Sequence, residues 1–232
     1  MPAHHVNVVL AHGAWVDGSS WSKVIGPLKA AGLKVVAAPL PLTSLADDIA
    51  AVGRVLERLD GLVVLAGHAY AGAVIAETRD PKVASLVYIA GLAPEEGETV
   101  ADVFYHSKPH PKAPEAKPDS HGLVWLPEEA FADAFAQNAS PGEQAILAAV
   151  QRPLNVDCIS VPVERPLWKD GPSWVLVAEY DRMINPETQL FQAERMGARA
   201  RIRPVDHVPM ITAPADVVDI ILDAARDVAA AT

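Results

Sequence analysis

Short apolar runs alternate along the chain with segments in which apolar residues recur at helical spacing. Because buried strands that alternate with amphipathic helices are typical of βαβ units, the pattern predicts an α/β fold with a mostly parallel sheet flanked by helices. The predicted strands span residues 6–11, 33–38, 62–66, 83–89, 173–178 and 200–203. The predicted helices begin near residue 20 and after residue 44, and span residues 73–79, 186–196 and 214–228.

The pattern changes between residues 94 and 172, where many prolines and three histidines occur and no apolar run of comparable quality appears. Amphipathic helices are predicted there at residues 127–137 and 141–150. Since strands of one sheet are predicted on both sides, we interpret residues 94–172 as a mostly helical lid, or cap. The lid is inserted into a core formed by residues 1–93 and 173–232.

Composition and charge limit the functional classes to which this chain can belong. The 232 residues carry a formal net charge of −10 and no cluster of Lys and Arg, which argues against binding to nucleic acid or to anionic membranes. The single cysteine, Cys158, excludes an internal disulfide. No apolar run reaches the roughly 18 residues of a membrane span, so we expect a soluble, cytoplasmic protein. The sequence leaves the oligomeric state open, with a homodimer as one option.

Residues 67–72 read Gly-His-Ala-Tyr-Ala-Gly between a predicted strand and a predicted helix. This resembles a nucleophile elbow, whose pattern G-x-S-x-G holds its central residue in a strained turn above the sheet. The positions two before and two after the centre must be small because strand and helix approach closely, and Gly67 and Ala71 meet that need. The central residue is Ala69, which carries no nucleophile. A turn of small residues that only packs a helix on a strand is the alternative.

The loop after the first strand contains His12 and Gly13. This pair is typical of the loop whose backbone N–H completes an oxyanion hole. The expected donors are the N–H groups of Ala14 and Tyr70. Because backbone donors do not depend on the side chains, this site would survive with alanine at position 69.

Two further polar residues follow predicted strands. Asp181 comes just after the strand at 173–178, and His207 lies in the loop before the last helix. With position 69 they give the chain order nucleophile, acid, base that is found in α/β-hydrolases. An acid in this arrangement orients the imidazole, and the imidazole deprotonates the nucleophile. Together with strand-end placement, the order predicts that Asp181 and His207 are catalytic.

The chain resembles the α/β-hydrolase superfamily, in the subgroup of small plant and bacterial esterases that includes methylesterases and hydroxynitrile lyases. The segments that carry the resemblance are VVLAHGAW, LVVLAGHAYAG, VASLVYIAG, VLVAEYDRMINPE and VDHVPMITAP. The resemblance implies that position 69 is the nucleophile position, Asp181 the acid and His207 the base. Members usually read G-H-S-Y-G-G or G-H-S-L-G-G at the elbow, so this chain departs at Ala69 and Ala71.

Other members of the fold fit the sequence less well. A hydroxynitrile lyase of this subgroup would carry Lys directly after the catalytic His, whereas Val208 follows His207 here. Epoxide hydrolases and dehalogenases use Asp at the elbow, but the G-H-x-Y context is more similar to that of a serine enzyme.

With serine at position 69, the expected activity is hydrolysis of a small, fairly apolar carboxylic ester or lactone, with no cofactor and no metal. We interpret the present sequence as an inactive form in which Ala69 is an engineered replacement of serine. The alternatives are a natural pseudoenzyme that binds a small molecule, and a cofactor-free enzyme that uses only His207 and Asp181. The candidate substrate contacts are His12, Trp15, His68, Trp125 and Trp168.

Overall fold

The computed structural model describes residues 6–231. Its main sheet has six parallel strands in the order β2-β1-β3-β4-β7-β8. These strands are β1 (Asn7–Ala11), β2 (Lys34–Ala38), β3 (Val63–His68), β4 (Val83–Ile89), β7 (Ser173–Ala178) and β8 (Arg199–Arg203). A separate antiparallel pair consists of β5 (Leu123–Val124) and β6 (Leu154–Asn155). The predicted parallel sheet is therefore present, with small shifts at strand ends.

Helices cover both faces of this sheet. The α-helices within residues 6–231 are α1 (Ser22–Ala30), α2 (Leu45–Leu56), α3 (Ala71–Glu77), α4 (Val100–Phe104), α5 (Glu128–Ala130), α6 (Pro141–Val150), α7 (Pro186–Arg195), α8 (Pro209–Thr212) and α9 (Pro214–Ala230). Successive β1 side chains point to opposite faces, so Val8 and Leu10 pack with α1 and α9, whereas Val9 and Ala11 pack with α2 and α3. Burial on both faces explains why the strands are continuously apolar.

Residues 94–172 contribute α4, the β5–β6 pair, α5 and α6, and no strand of the main sheet. The prediction of a single helix over residues 127–137 is wrong. The segment consists of the three-residue α5 followed by a π-helical turn, Phe131–Phe135. The turn buries Phe131 and Phe135 completely and brings their rings into edge-to-face contact at 5.2 Å. Within residues 6–231, no helix is long and apolar enough to cross a membrane.

Candidate active site

The connection from β3 to α3 is a tight turn centred on Ala69. Its φ angle is +50°, a left-handed conformation that residues other than glycine rarely adopt. Three backbone hydrogen bonds hold it: the Ala69 N–H donates to Ile89 O at 3.1 Å, and its carbonyl accepts from Gly72 and Leu92. A Cβ at Gly67 would lie 2.6 Å from the Ala71 carbonyl, so only glycine fits there. The turn therefore has the left-handed central residue and the close approach of strand and helix that a nucleophile elbow requires.

The loops after β1 and β3 leave the sheet side by side, because Ala11 pairs with Gly67 in the parallel register. A Cβ added to Gly13 would lie only 3.1 Å from the Ala69 Cβ. Among residues 6–231, the backbone N–H groups of Ala14 and Tyr70 donate no hydrogen bond to the protein. Both residues and Ala69 line one cavity. Two free N–H groups beside the elbow can stabilise an oxygen that becomes negatively charged.

The same cavity is lined by His207, from the loop between β8 and α8. His207 Nδ1 lies 2.9 Å from Asp181 Oδ2, and both side chains are buried. Because the carboxylate can only accept, Nδ1 carries the proton and Nε2 is left as an acceptor. Nε2 has no hydrogen-bond partner in the described part of the chain. The pair can therefore act as a general base towards a group bound in the cavity.

Four donors surround the Asp181 carboxylate. Oδ1 accepts from the backbone N–H groups of Met183 at 2.7 Å and Ile184 at 2.9 Å. Oδ2 accepts from His207 and, at 2.8 Å, from the side-chain amide of Gln189 on α7. Sequence reasoning missed Gln189. The available signal was a glutamine on the face of α7 that turns towards the sheet.

The cavity has a volume of about 90 Å³ and almost entirely apolar walls. A second cavity of about 390 Å³ adjoins it, with Glu115 and Lys117 in its wall. The residues common to both cavities are Trp15, Phe104, Tyr105, Ala116 and Met183. No group of three or more His, Cys, Asp or Glu side chains within residues 6–231 is arranged to hold a metal ion.

Trp15 connects the loop after β1 to residues 94–172. Its φ angle is +62°, unusual for a bulky side chain. Its indole N–H donates to Val124 O at 2.9 Å, and its backbone N–H donates to Arg152 O at 3.0 Å. Of the five candidate substrate contacts, Trp15 lines the cavity.

The other four candidates do not line the cavity. His12 and His68 are fully buried and bond to backbone carbonyls, His12 Nδ1 to Gly13 O at 2.9 Å and His68 Nε2 to His207 O at 2.7 Å. Trp168 is also buried, and its indole N–H donates to Pro94 O. Trp125 is 47% exposed. The residue types alone did not predict whether these rings point into the cavity.

Burial lowers the pKa of His12 to about 4, because the charged imidazole would lose its hydration. In the unfolded chain this group titrates near 6.5, so below that pH the unfolded state binds more protons than the folded state. The free energy of unfolding should therefore fall by about 2 kcal/mol between pH 7.5 and 5 from this residue alone. In His12→Asn this component of the pH dependence should disappear, as measured by urea unfolding at both pH values.

The matched control for this experiment is His121→Asn, because His121 is exposed. This variant should keep the pH dependence of the parent chain. His68 is fully buried too, and burial holds its pKa well below 6.5, so some pH dependence remains in His12→Asn. Equal pH dependence in His12→Asn and the parent would contradict the prediction.

Comparisons with known proteins identify the family and the fold of the chain. Residues 8–220 match the model of a family described as "Alpha/beta hydrolase family". A carbendazim hydrolyzing esterase of Nocardioides sp. (strain SG-4G) is 32% identical over 112 residues, which cover 40% of this chain and 45% of that relative. The match thus spans less than half the length of that protein.

Solved structures match over almost the whole chain. The crystal structure of polyneuridine aldehyde esterase has a TM-score of 0.84 at 20% identity and covers 94% of this chain and 98% of that one. A pyrethroid hydrolase from Sphingobium faniae JZ-2 has a TM-score of 0.79 at 21% identity and covers 95% and 98%. At these identities the likeness concerns the fold, and it confirms the predicted fold class.

Proposed function

The chain belongs to the alpha/beta hydrolase family, and from this premise we propose that its site is built to hydrolyse small, apolar carboxylic esters or lactones. The observation that carries the proposal is the convergence of three features on one cavity. These are the elbow at Ala69, the unpaired N–H groups of Ala14 and Tyr70, and the imidazole of His207. The names of the three similar proteins reported above, two esterases and a hydrolase, support the same reaction class.

The reaction is acyl transfer through a serine at position 69. His207 Nε2 takes the proton of that serine while its oxygen attacks the carbonyl carbon. The N–H groups of Ala14 and Tyr70 stabilise the negative oxygen that forms, and His207 then protonates the leaving alcohol. Water then attacks the acyl carbon while His207 Nε2 takes a proton from it. The bond between the acyl carbon and the serine oxygen breaks, the carboxylic acid leaves, and His207 returns the proton to the serine oxygen. Asp181 keeps the Nδ1 proton in place and stabilises the charged imidazole.

Ala69 supplies no attacking atom, so the chain with alanine binds an ester without hydrolysing it by this route. The decisive experiment is ester turnover by the Ala69→Ser variant. The inner cavity of about 90 Å³ suits a small apolar group, and the adjoining cavity has room for the larger part of the substrate. Trp15, Phe104 and Tyr105 separate these two parts.

A second candidate is proton transfer without a covalent intermediate, by a cofactor-free enzyme that uses only His207 and Asp181. It is favoured by the alanine at position 69 beside a buried pair that keeps its 2.9 Å hydrogen bond. In this reaction His207 removes a proton from the carbon next to a carbonyl group. The N–H groups of Ala14 and Tyr70 stabilise the enolate oxygen.

The unmodified chain tests this second candidate. Incubated in D₂O with a small methyl ketone, it should exchange the protons next to the carbonyl for deuterium faster than the His207→Ala variant does, as followed by proton NMR. The physical reason is that only the parent has a base beside the oxyanion donors. Equal exchange rates would exclude the proton-transfer activity and leave a protein that binds its small molecule without turnover.

A further inference from the structure

Gln189 is the one buried side-chain amide that contacts the acid of the site within residues 6–231. Its Oε1 accepts from the Ala178 N–H at 2.9 Å, and its Nε2 donates to Asp181 Oδ2 and to Ile184 O at 2.8 and 2.9 Å. Only the carbonyl oxygen of an amide can accept from an N–H group. The Ala178 bond therefore fixes the orientation of the amide and makes Nε2 the donor towards Asp181.

These three hydrogen bonds span the segment that carries the acid. Ala178 is the last residue of β7, and Ile184 closes the loop just before α7. Gln189 thus ties both ends of the loop to α7, and it holds the carboxylate in the middle. Ile184 also lines the cavity, so the same side chain fixes part of the cavity wall.

The two oxygens of Asp181 are consequently not equivalent. Oδ1 is occupied by two backbone N–H groups, whereas Oδ2 receives Gln189 and His207. A carboxylate held by donors on three sides cannot rotate, so Oδ2 stays directed at His207 Nδ1. We propose that Gln189 is a positioning residue, which acts through Asp181 to fix the tautomer and the ring orientation of His207. This inference rests on the proposed function, because it assumes that His207 is the base.

Gln192 is a matched control for Gln189. It lies one turn further along α7, is equally buried, and also uses its amide to bond backbone groups, those of Gly91, Ala93 and Thr188. It forms no hydrogen bond with Asp181 or His207. Substitution of either glutamine by Met, a side chain of similar size, removes a buried amide, so both variants should be less stable. Only Gln189→Met should affect the Asp181–His207 pair.

The first readout is proton NMR of the chain with Ala69, which needs no enzymatic activity. The proton held between His207 Nδ1 and Asp181 should give a resonance downfield of the backbone amides, in the parent and in Gln192→Met. In Gln189→Met it should be lost or broadened by exchange with water. Gln189→Asn keeps the amide but is one methylene too short to reach Asp181, so the downfield resonance should be lost or broadened in this variant too. It replaces Gln189→Met in the test if the Met variant does not fold.

The second readout is kinetic and uses the Ala69→Ser background. Gln189→Met should lower kcat by about 10²-fold with little change in KM, because misplacement of the base affects the transition state more than substrate binding. Gln192→Met should keep kcat near that of the Ala69→Ser parent. A folded Gln189→Met or Gln189→Asn that keeps the downfield resonance would overturn the inference. If Ala69→Ser hydrolyses no ester, the proposed function fails, while the NMR comparison still decides the role of Gln189.

Discussion

The Ala69→Ser variant is expected to hydrolyse p-nitrophenyl acetate or butyrate at least about 10⁴-fold faster than the chain with alanine. In serine hydrolases, removal of the nucleophile alone costs about 10⁶ in kcat, or about 8 kcal/mol of activation free energy. Restoring it returns most of that difference if the remaining groups are in position. His207 hydrogen-bonded to Asp181, and the unpaired N–H groups of Ala14 and Tyr70, are those groups.

The added hydroxyl should cost little folding stability. The Ala69 side chain lines a cavity, so an additional oxygen enters open space. The backbone already holds the left-handed conformation with an alanine, and serine has the same Cβ. Thermal unfolding should therefore give nearly equal midpoints for the parent and the variant, which makes the activity comparison direct.

Two controls distinguish restoration of the nucleophile from a nonspecific effect of an added hydroxyl group. Ala116→Ser adds a hydroxyl to the same cavity away from the elbow and should leave esterase activity at the parent level. Ala69→Ser combined with His207→Ala keeps the new hydroxyl without its base and should be nearly inert. If Ala69→Ser itself is as inactive as the parent on acetate, butyrate, octanoate and lactone substrates, the ester-hydrolase proposal is excluded. The proton-transfer and binding alternatives then remain.

Local patterns were enough to predict the sheet. The strand at 83–89 and the helix at 141–150 have the predicted bounds, because each is an apolar or amphipathic run ended by turn residues. β3 is longer than predicted, since Gly67 and His68 still pair with β4 before the chain turns at Ala69. The sequence also predicted that Asp181 lies beside His207, since the carboxyl ends of parallel strands meet at one edge of the sheet.

Long-range contacts account for what the sequence did not predict. His68 was a candidate substrate contact, but its ring bonds to a carbonyl 139 residues away in the chain, and no local pattern encodes that partner. Gln189 was missed for the same reason, because its role depends on the orientation of an amide that Ala178 sets from another element. Trp125 and Trp168 differ in exposure because neighbouring elements cover only the second of them.

The second large effect is expected from substitution of Asp181, the proposed acid. In the Ala69→Ser background, Asp181→Asn should lower kcat by about 10⁴-fold. The cause follows from the donors around the side chain. Met183 and Ile184 direct two N–H groups at the Oδ1 position, so the carbonyl oxygen of the new Asn must occupy it. The Asn NH₂ group then takes the Oδ2 position and points at His207.

An NH₂ group in that position inverts the tautomer of His207. Nδ1 must now accept a hydrogen bond, which moves the ring proton to Nε2. An Nε2 that carries a proton cannot take the proton of Ser at position 69, so the base is lost although its ring stays in place. The NH₂ group also faces the Nε2 donor of Gln189, so Gln189 loses one of its two acceptors and keeps only Ile184 O.

The matched control is Asp206→Asn, next to His207 in the chain. Asp206 is fully buried, and its carboxylate accepts from the Asn138 N–H and from Thr212 Oγ1 rather than from the imidazole. An Asn fits these partners, because its oxygen accepts from the N–H group and its NH₂ donates to the hydroxyl. Asp206→Asn should thus lower kcat far less than Asp181→Asn does, because it removes a neighbouring charge but leaves the Nδ1 proton of His207 in place. If Asp181→Asn keeps kcat within tenfold of that parent, the tautomer of His207 does not depend on Asp181, and the assignment of Asp181 as the acid is wrong. A loss confined to Asp181→Asn, together with disappearance of the downfield His207 resonance, attributes the rate to the proton that Asp181 holds on Nδ1.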